Sequence, residues 1–338
     1  MTGKKLLALY GAAHFWVDFS CAFLIFRTLY GAPSFSQCLL LYNFCAFALQ
    51  MPLGLLADRL NRNSLLAAAG CALAALAYGS PLPVLTAVTA GVGNALFHLG
   101  GGIDVLNDSE QRAAALGIFV SPGAVGLYFG TLLGRGAVLP LWYAPVCLLA
   151  LAAAILWLSR SQPTFRSGNV PLDLSAPGGY SVLPPLFLVV VLRSYMGMNQ
   201  SFSWRSSDCW ALLLILALAL GKAAGGFAMD RLGPRRASLW SLLAAAALYL
   251  CSALPLPGLL AVFLFNMTMP VTLWAAARAM PGAKGFTFGL LTFALFLGFL
   301  PSYLGWSRLP TAPWSYAAVT LVSLVLLQSV WRKEAVKC

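Results

Sequence analysis

The hydrophobic positions fall in long runs broken by short polar segments. A helix needs about 20 mostly apolar residues to cross a bilayer core. On that measure the pattern predicts twelve spans, at roughly 6–29, 35–57, 64–80, 82–104, 112–134 and 137–159, then 181–200, 208–229, 237–254, 256–279, 285–306 and 312–331. The runs are apolar on every face, as in Ala211–Leu220, and lack the period-two alternation of a membrane β-barrel strand. The predicted fold class is therefore all-α and integral to the membrane. A polar stretch containing Pro, Gly and Ser, 160–180, divides the chain into a six-helix bundle over 1–159, a linker, and a six-helix bundle over 181–338. At about 22 residues per span, the loops are short and leave no room for a soluble domain.

Composition sharpens this picture. Sixty per cent of the residues are hydrophobic and 9% are charged, against roughly 25% charged in soluble domains. The mean hydropathy is +0.84. The chain is thus built to face the lipid bilayer. A net charge of +12 invites a nucleic-acid reading, but the charges punctuate apolar runs instead of forming a basic face, and no nucleic-acid partner is expected.

Of the 21 Lys and Arg, fifteen fall on one side of the twelve-span topology. Four fall on the other (Arg27, Arg135, Arg205 and Arg308), and Arg193 and Lys222 lie inside spans. The excess of basic residues on cytoplasmic loops then places both termini and the linker in the cytoplasm, with the cell membrane as the expected location. The first run opens like a signal peptide, with Lys4 and Lys5, but its length and Asp18 mark it as a retained first span.

Eight Cys are scattered without a CxxC, and there are only two His. That supports neither a disulfide framework nor a zinc site. Cys21, Cys45, Cys71, Cys147 and Cys251 read as small apolar packing residues. No metal or other cofactor is expected.

One motif occurs twice. Gly54-Leu55-Leu56-Ala57-Asp58-Arg59-Leu60-Asn61-Arg62 closes span 2, and Gly226-Phe227-Ala228-Met229-Asp230-Arg231-Leu232-Gly233-Pro234-Arg235 closes span 8. Asp58 and Asp230 are 172 residues apart (230 − 58), about half the chain. Recurrence at half length predicts two related halves, which in a membrane protein points to a secondary transporter. Gly54 and Gly226 let a neighbouring helix approach closely. An Asp at a helix end can pair with Arg or face another helix's N-terminus.

These loops resemble the cytoplasmic signature of the major facilitator superfamily, with Asn61 where Gly is usual and Asn63 where a basic residue is usual. Within it, the chain resembles the fosmidomycin-resistance-like branch. That likeness lies in His14-Phe15-Trp16-Val17-Asp18, Ala95-Leu96-Phe97-His98, Leu192-Arg193-Ser194-Tyr195 and Met280-Pro281-Gly282-Ala283-Lys284-Gly285. Leu99 and Gly100 stand where that branch often has Pro-Glu. The resemblance implies the major facilitator fold of two six-helix bundles around a central cavity, alternating access, and proton-driven efflux of small molecules. It also implies a conformational latch made by Gly54, Asp58, Arg59 and Arg62 and by Gly226, Asp230, Arg231 and Arg235. Simple anchoring by positive charge is the alternative.

His14 and Asp18 share a helical face. An ionisable group in mid-span costs about 3 kcal/mol or more, so Asp18 is expected to face the interior. It is the candidate proton-coupling carboxylate, with His14 assisting; a structural, hydrogen-bonded Asp is the alternative. Asn94 and His98 share a face of span 4 and either line a substrate cavity or satisfy a neighbour. Arg193 is suited to hold a carboxylate or phosph(on)ate, or to pair with Asp18 or another acid. Asn199 lies toward the outer end of the same span. Lys222 is read as structural, snorkelling to the cytoplasmic end. In span 5, Gly117, Ser121-Pro122-Gly123, Gly126, Gly130 and Gly134 form a stripe for close packing, or a variant of the superfamily's exporter signature in this span. Asp104 and the segment 107–112 read as a solvated cytoplasmic loop in which Asp108 or Ser109 caps span 5.

The expected partners are a small-molecule substrate, protons and the bilayer. Uptake of a small organic anion and a transport-dead receptor or scaffold are the alternatives to export. HExxH, GxSxG and GxxxxGK[ST] are all absent, which argues against an enzyme and against ATP as driver.

Overall fold

The computed structural model describes residues 2–108, 112–160, 171–175, 179–306, 310 and 312–332. Most of the linker, the candidate caps at Asp108 and Ser109, and Arg166, Arg308, Lys333 and Lys337 therefore lie outside the described residues or side chains. Among those described there are helices and no strands.

Among the described residues, twelve helical segments follow the twelve apolar runs. They are α1 (Thr2–Thr28), α2 (Phe35–Leu60), α3 (Asn63–Gly79), α4 (Pro83–Asp108), α5 (Ala114–Gly136), α6 (Tyr143–Arg160), α7 (Gly179–Asn199), α8 (Asp208–Leu232), α9 (Pro234–Leu250), α10 (Pro255–Ala279), α11 (Pro281–Tyr303) and α12 (Pro313–Trp331). Ten are long and apolar enough to cross a membrane; α3 is a shorter apolar helix, and α9 has 17 residues. Many of their large apolar side chains face outward, including Leu76, Trp157 and Val325. Such a surface is at home in hydrocarbon, where every backbone polar group must be satisfied within its own helix. The chain is a multi-pass membrane protein.

Three helices are interrupted, each near a proline. Proline lacks an amide hydrogen and its ring presses on the carbonyl four residues earlier. In α2 a π-helical turn at Phe44–Ala48 precedes Pro52. In α5 the helix bends at Ser121 before Pro122, and the Ser121 hydroxyl donates to the Gly117 carbonyl at 2.6 Å. In α10 the break at Met267 precedes Pro270.

Two compact units emerge, and each borrows from the other sequence half. The first comprises Met1–Asp108, Pro122–Leu172 and Gly282–Phe293; the second comprises Ser109–Ser121, Asp173–Pro281 and Ala294–Cys338. Helix α5 and the α-helical part of α11, Lys284–Tyr303, thus each begin in one unit and end in the other. In the first unit, Phe19, Phe23 and Ala144 form a buried cluster packed by Phe15, Trp16 and Phe129. In the second, Tyr316 brackets Ser201, accepting from its amide at 2.9 Å and donating to its carbonyl at 3.1 Å.

Candidate functional site

In the first unit, α1 and α4 bring four polar side chains together. His14 and Asp18 lie one turn apart on α1, and Asn94 and His98 one turn apart on α4. His14 Nε2 is 3.3 Å from Asp18 Oδ2, and His98 Nε2 is 3.6 Å from Asp18 Oδ1. The Asn94 amide donates to Asp18 Oδ1 at 2.9 Å. The two imidazoles meet edge to face, with Nε2 atoms 2.9 Å apart. His14 and Asn94 are buried and the other two are half-buried.

The geometry constrains the protons. His98 Nδ1 lies 2.9 Å from the Asn94 carbonyl oxygen. A carbonyl only accepts, so Nδ1 carries hydrogen and the lone pair of neutral His98 sits on Nε2. Two nitrogen lone pairs at 2.9 Å would repel, so a proton lies between the rings. With both rings neutral the group carries the single negative charge of Asp18. One further proton makes an imidazolium beside the carboxylate and brings the net charge to zero. The three donor atoms of His14, Asp18 and His98 lie within 4.8 Å of one another, a spacing that suits a shared proton and would also admit a small cation.

Gly123 of α5 completes this cluster, a role that neither the packing-stripe nor the exporter-signature reading of span 5 assigned to it. A Cβ there would collide with the His14 imidazole and the Asp18 carboxylate. Farther along α5, Cβ atoms at Gly126 and Gly130 would strike the Phe15 and Phe19 carbonyls of α1. The glycine stripe is thus the surface on which α1 lies, and Gly123 is the place in it where polar groups sit.

The two Asp-Arg motifs meet helix starts. Asp58 is buried and accepts from the amides of Gly285 and Phe286, both at 2.8 Å, at the beginning of the α-helical part of α11. Asp230, which is exposed, accepts from Ala113 and Ala114 at 2.6 and 3.1 Å, at the start of α5. Free amides and the positive end of the helix dipole make these positions favourable for a carboxylate. Gly54 lies directly on Gly285, and Gly226 on Ala113, with no space for a side chain at either. Arg59, Arg62, Arg231 and Arg235 are exposed, and among the described residues none forms an ion pair with either Asp. Asn61 has φ 49° and Gly233 has φ 77°. Both motif copies therefore end in a left-handed residue, and Asn is among the few side chains that tolerate it, which accounts for Asn61 in the first copy.

One expectation is overturned. Asp104 is not in a solvated loop, because α4 continues to Asp108, a turn past the predicted end. Asp104 is 2% exposed and accepts from Tyr10 Oη at 2.6 Å, Asn63 Nδ2 at 2.9 Å and Ser64 Oγ at 3.2 Å. It ties α1 and α3 to α4, and Asn63 serves it where the superfamily signature has a basic residue.

In the second unit, Arg193 on α7 is buried beside Thr268 and Thr272 of α10, with Nη1 3.4 Å from each hydroxyl oxygen. Asn199 is not gathered with Arg193; its amide donates to the Tyr195 carbonyl at 2.8 Å and to Ser302 Oγ at 3.2 Å. Lys222 Nζ reaches the Val120 carbonyl at 3.4 Å. Cys21, Cys38, Cys45 and Cys71 are buried free thiols, while Cys209 and Cys251 are exposed.

No family model and no curated protein matches the sequence. Solved structures match over nearly its whole length. The chain is similar to a variant of the E. coli fucose:proton symporter FucP, at 12% identity over 95% of this chain and 97% of that one, with a TM-score of 0.62. It is similar to the human organic anion transporter MFSD10 (TETRAN), at 18% identity over 96% and 99%, with a TM-score of 0.61. It is also similar to a bacterial homologue of the iron transporter ferroportin in an outward-facing state, at 14% identity over 96% and 97%, with a TM-score of 0.66. The chain has the major facilitator fold.

Proposed function

We propose that this chain is a secondary active transporter of the major facilitator superfamily, close to the fosmidomycin-resistance-like branch. It moves a small organic molecule across the cytoplasmic membrane by alternating access, and it exports that molecule in exchange for protons. The observation that carries the reading is the His14–Asp18–Asn94–His98 cluster. A carboxylate within helices costs too much to keep without a use or a partner, and here its partners are two imidazoles, the side chains whose charge changes near neutral pH. In this reading Asp18 and the two rings take up one proton and release it, and Gly123 leaves the space in which they do so.

The latch reading rests on Asp58 and Asp230. Each joins a motif of one sequence half to a helix start of the other through two amide hydrogen bonds. Forming and breaking these bonds biases one conformer over another, which is what alternating access requires. With both termini cytoplasmic, the two latches lie on the cytoplasmic side.

The test is susceptibility of a drug-sensitised bacterial host, at two external pH values, to a compound panel that includes fosmidomycin. Wild type is expected to protect and Asp18→Asn to lose protection. Protection by both proteins would remove Asp18 from the mechanism, and protection by neither, with both in the membrane, would remove export for that panel. The second reading is uptake of a small organic anion. It is favoured by the buried Arg193 and by similarity to a symporter and an organic anion transporter, and it is read by accumulation of labelled anions in the same cells.

A further inference from the structure

Arg193 is a buried cation with very little to hold it. It is 7% exposed, and Thr268 and Thr272 beside it are 1% and 0% exposed. Its hydrogen bonds to described residues are two contacts of 3.4 Å, both from Nη1. These exceed the usual 2.7–3.2 Å range for N–H···O bonds. The two hydroxyls are also committed: Thr268 donates to the Phe265 carbonyl at 2.8 Å and Thr272 to the Met269 carbonyl at 2.9 Å. Their remaining lone pairs turn toward the guanidinium. A guanidinium has five N–H donors in a flat fork. Here Nε and Nη2 make no hydrogen bond to a described residue, and no described carboxylate lies within ion-pair distance.

Burying a charge without a partner is among the most costly arrangements in a fold. The prolines and apolar residues around Arg193 on α7 supply no counter-charge. The unused face of the fork matches a carboxylate or a phosph(on)ate, which accept two parallel N–H bonds. We infer that the molecule carried by this protein bears such an oxyanion, and that Arg193 binds it with Thr268 and Thr272 as flanking hydroxyls. The inference rests on the transporter reading for its biological meaning, but anion binding by the second unit is measurable without it.

The experiment follows thermal unfolding of the purified full chain in lipid nanodiscs. The probes are benzoate and methylphosphonate, set against neutral benzamide and dimethyl methylphosphonate. Wild type is expected to gain on the order of 2 °C with at least one anion at saturating concentration, and nothing with the neutral compounds. Arg193→Gln is expected to lose that gain. Arg193→Lys, which keeps the charge but not the fork, carries the comparison should the Gln variant be too unstable to measure, and its apparent affinity is expected to fall at least fivefold. Without ligand, Arg193→Gln is expected to unfold no lower than wild type, since it removes an uncompensated charge.

A wild type that responds to neither anion, or a response that survives both substitutions, overturns the inference. So does an Arg193→Gln protein that unfolds well below wild type while Arg193→Lys keeps full anion response, because Arg193 is then structural. An Arg193-dependent anion response together with flat susceptibility and uptake assays leaves the anion site standing and removes the transporter reading instead.

Discussion

Asp58 and Asp230 are reciprocal. Asp58 holds Gly285 and Phe286, and Asp230, 172 residues after Asp58, holds Ala113 and Ala114, which stand 172 residues before Gly285 and Phe286. Each half of the sequence caps the equivalent helix of the other half with the same residue of the same motif. Asn in place of Asp keeps the shape but offers one acceptor oxygen and no charge to the helix end. Asp58→Asn is expected to weaken the capped state by about 1–2 kcal/mol, roughly a tenfold population shift, and to lower transport with membrane insertion intact. Asp230→Asn, at an exposed site, is expected to do less. Transport at wild-type rate in Asp58→Asn, with expression matched on a blot, would remove the latch.

Gly123→Ala adds one methyl group where two polar side chains already sit. The helices must part or the His14–Asp18 pair must shift, at about 1–3 kcal/mol. Transport is expected to fall roughly tenfold or more, and its dependence on external pH to flatten. Gly126→Ala meets a backbone carbonyl instead and is expected to lower the unfolding temperature. A Gly123→Ala protein with the wild-type pH profile would show that the cluster does not set coupling.

Asp104→Asn leaves one acceptor oxygen for three donors. At least one of Tyr10, Asn63 and Ser64 loses its bond to residue 104, at a cost of about 1–3 kcal/mol. The unfolding midpoint is expected to fall by roughly 2–4 °C, with Tyr10→Phe doing less. Unchanged midpoints in both variants would mean that Asp104 does not bind α1 and α3 to α4.

Orientation is open to a direct chemical check. Cys209 near the start of α8 and Cys251 just after α9 are exposed, whereas Cys21, Cys38, Cys45 and Cys71 are buried. With cytoplasmic termini, a membrane-impermeant maleimide added to intact cells is expected to label Cys209 and Cys251. Labelling that requires permeabilised cells would invert the topology.

The length of the apolar runs alone determined that this chain crosses the membrane many times, and placed most ends of the described helices within a few residues, because apolar length is a local property that bilayer thickness reads directly. The recurring Asp-Arg motif also marked two carboxylates that occupy equivalent places at helix starts. What tertiary structure decided were the partners. Asp58 and Asp230 face amides, not arginines, because the helix that supplies those amides comes from the other half of the chain, at a separation no local pattern reports. His98 and Asn94 reach Asp18 only because α1 and α4 lie side by side, and Gly123 matters only because α5 lies over them. Asp104 changed character for the same reason: its donors stand 94, 41 and 40 residues away. Spacing along one helix is fixed by 3.6 residues per turn, but which helix faces which is fixed by packing among all of them.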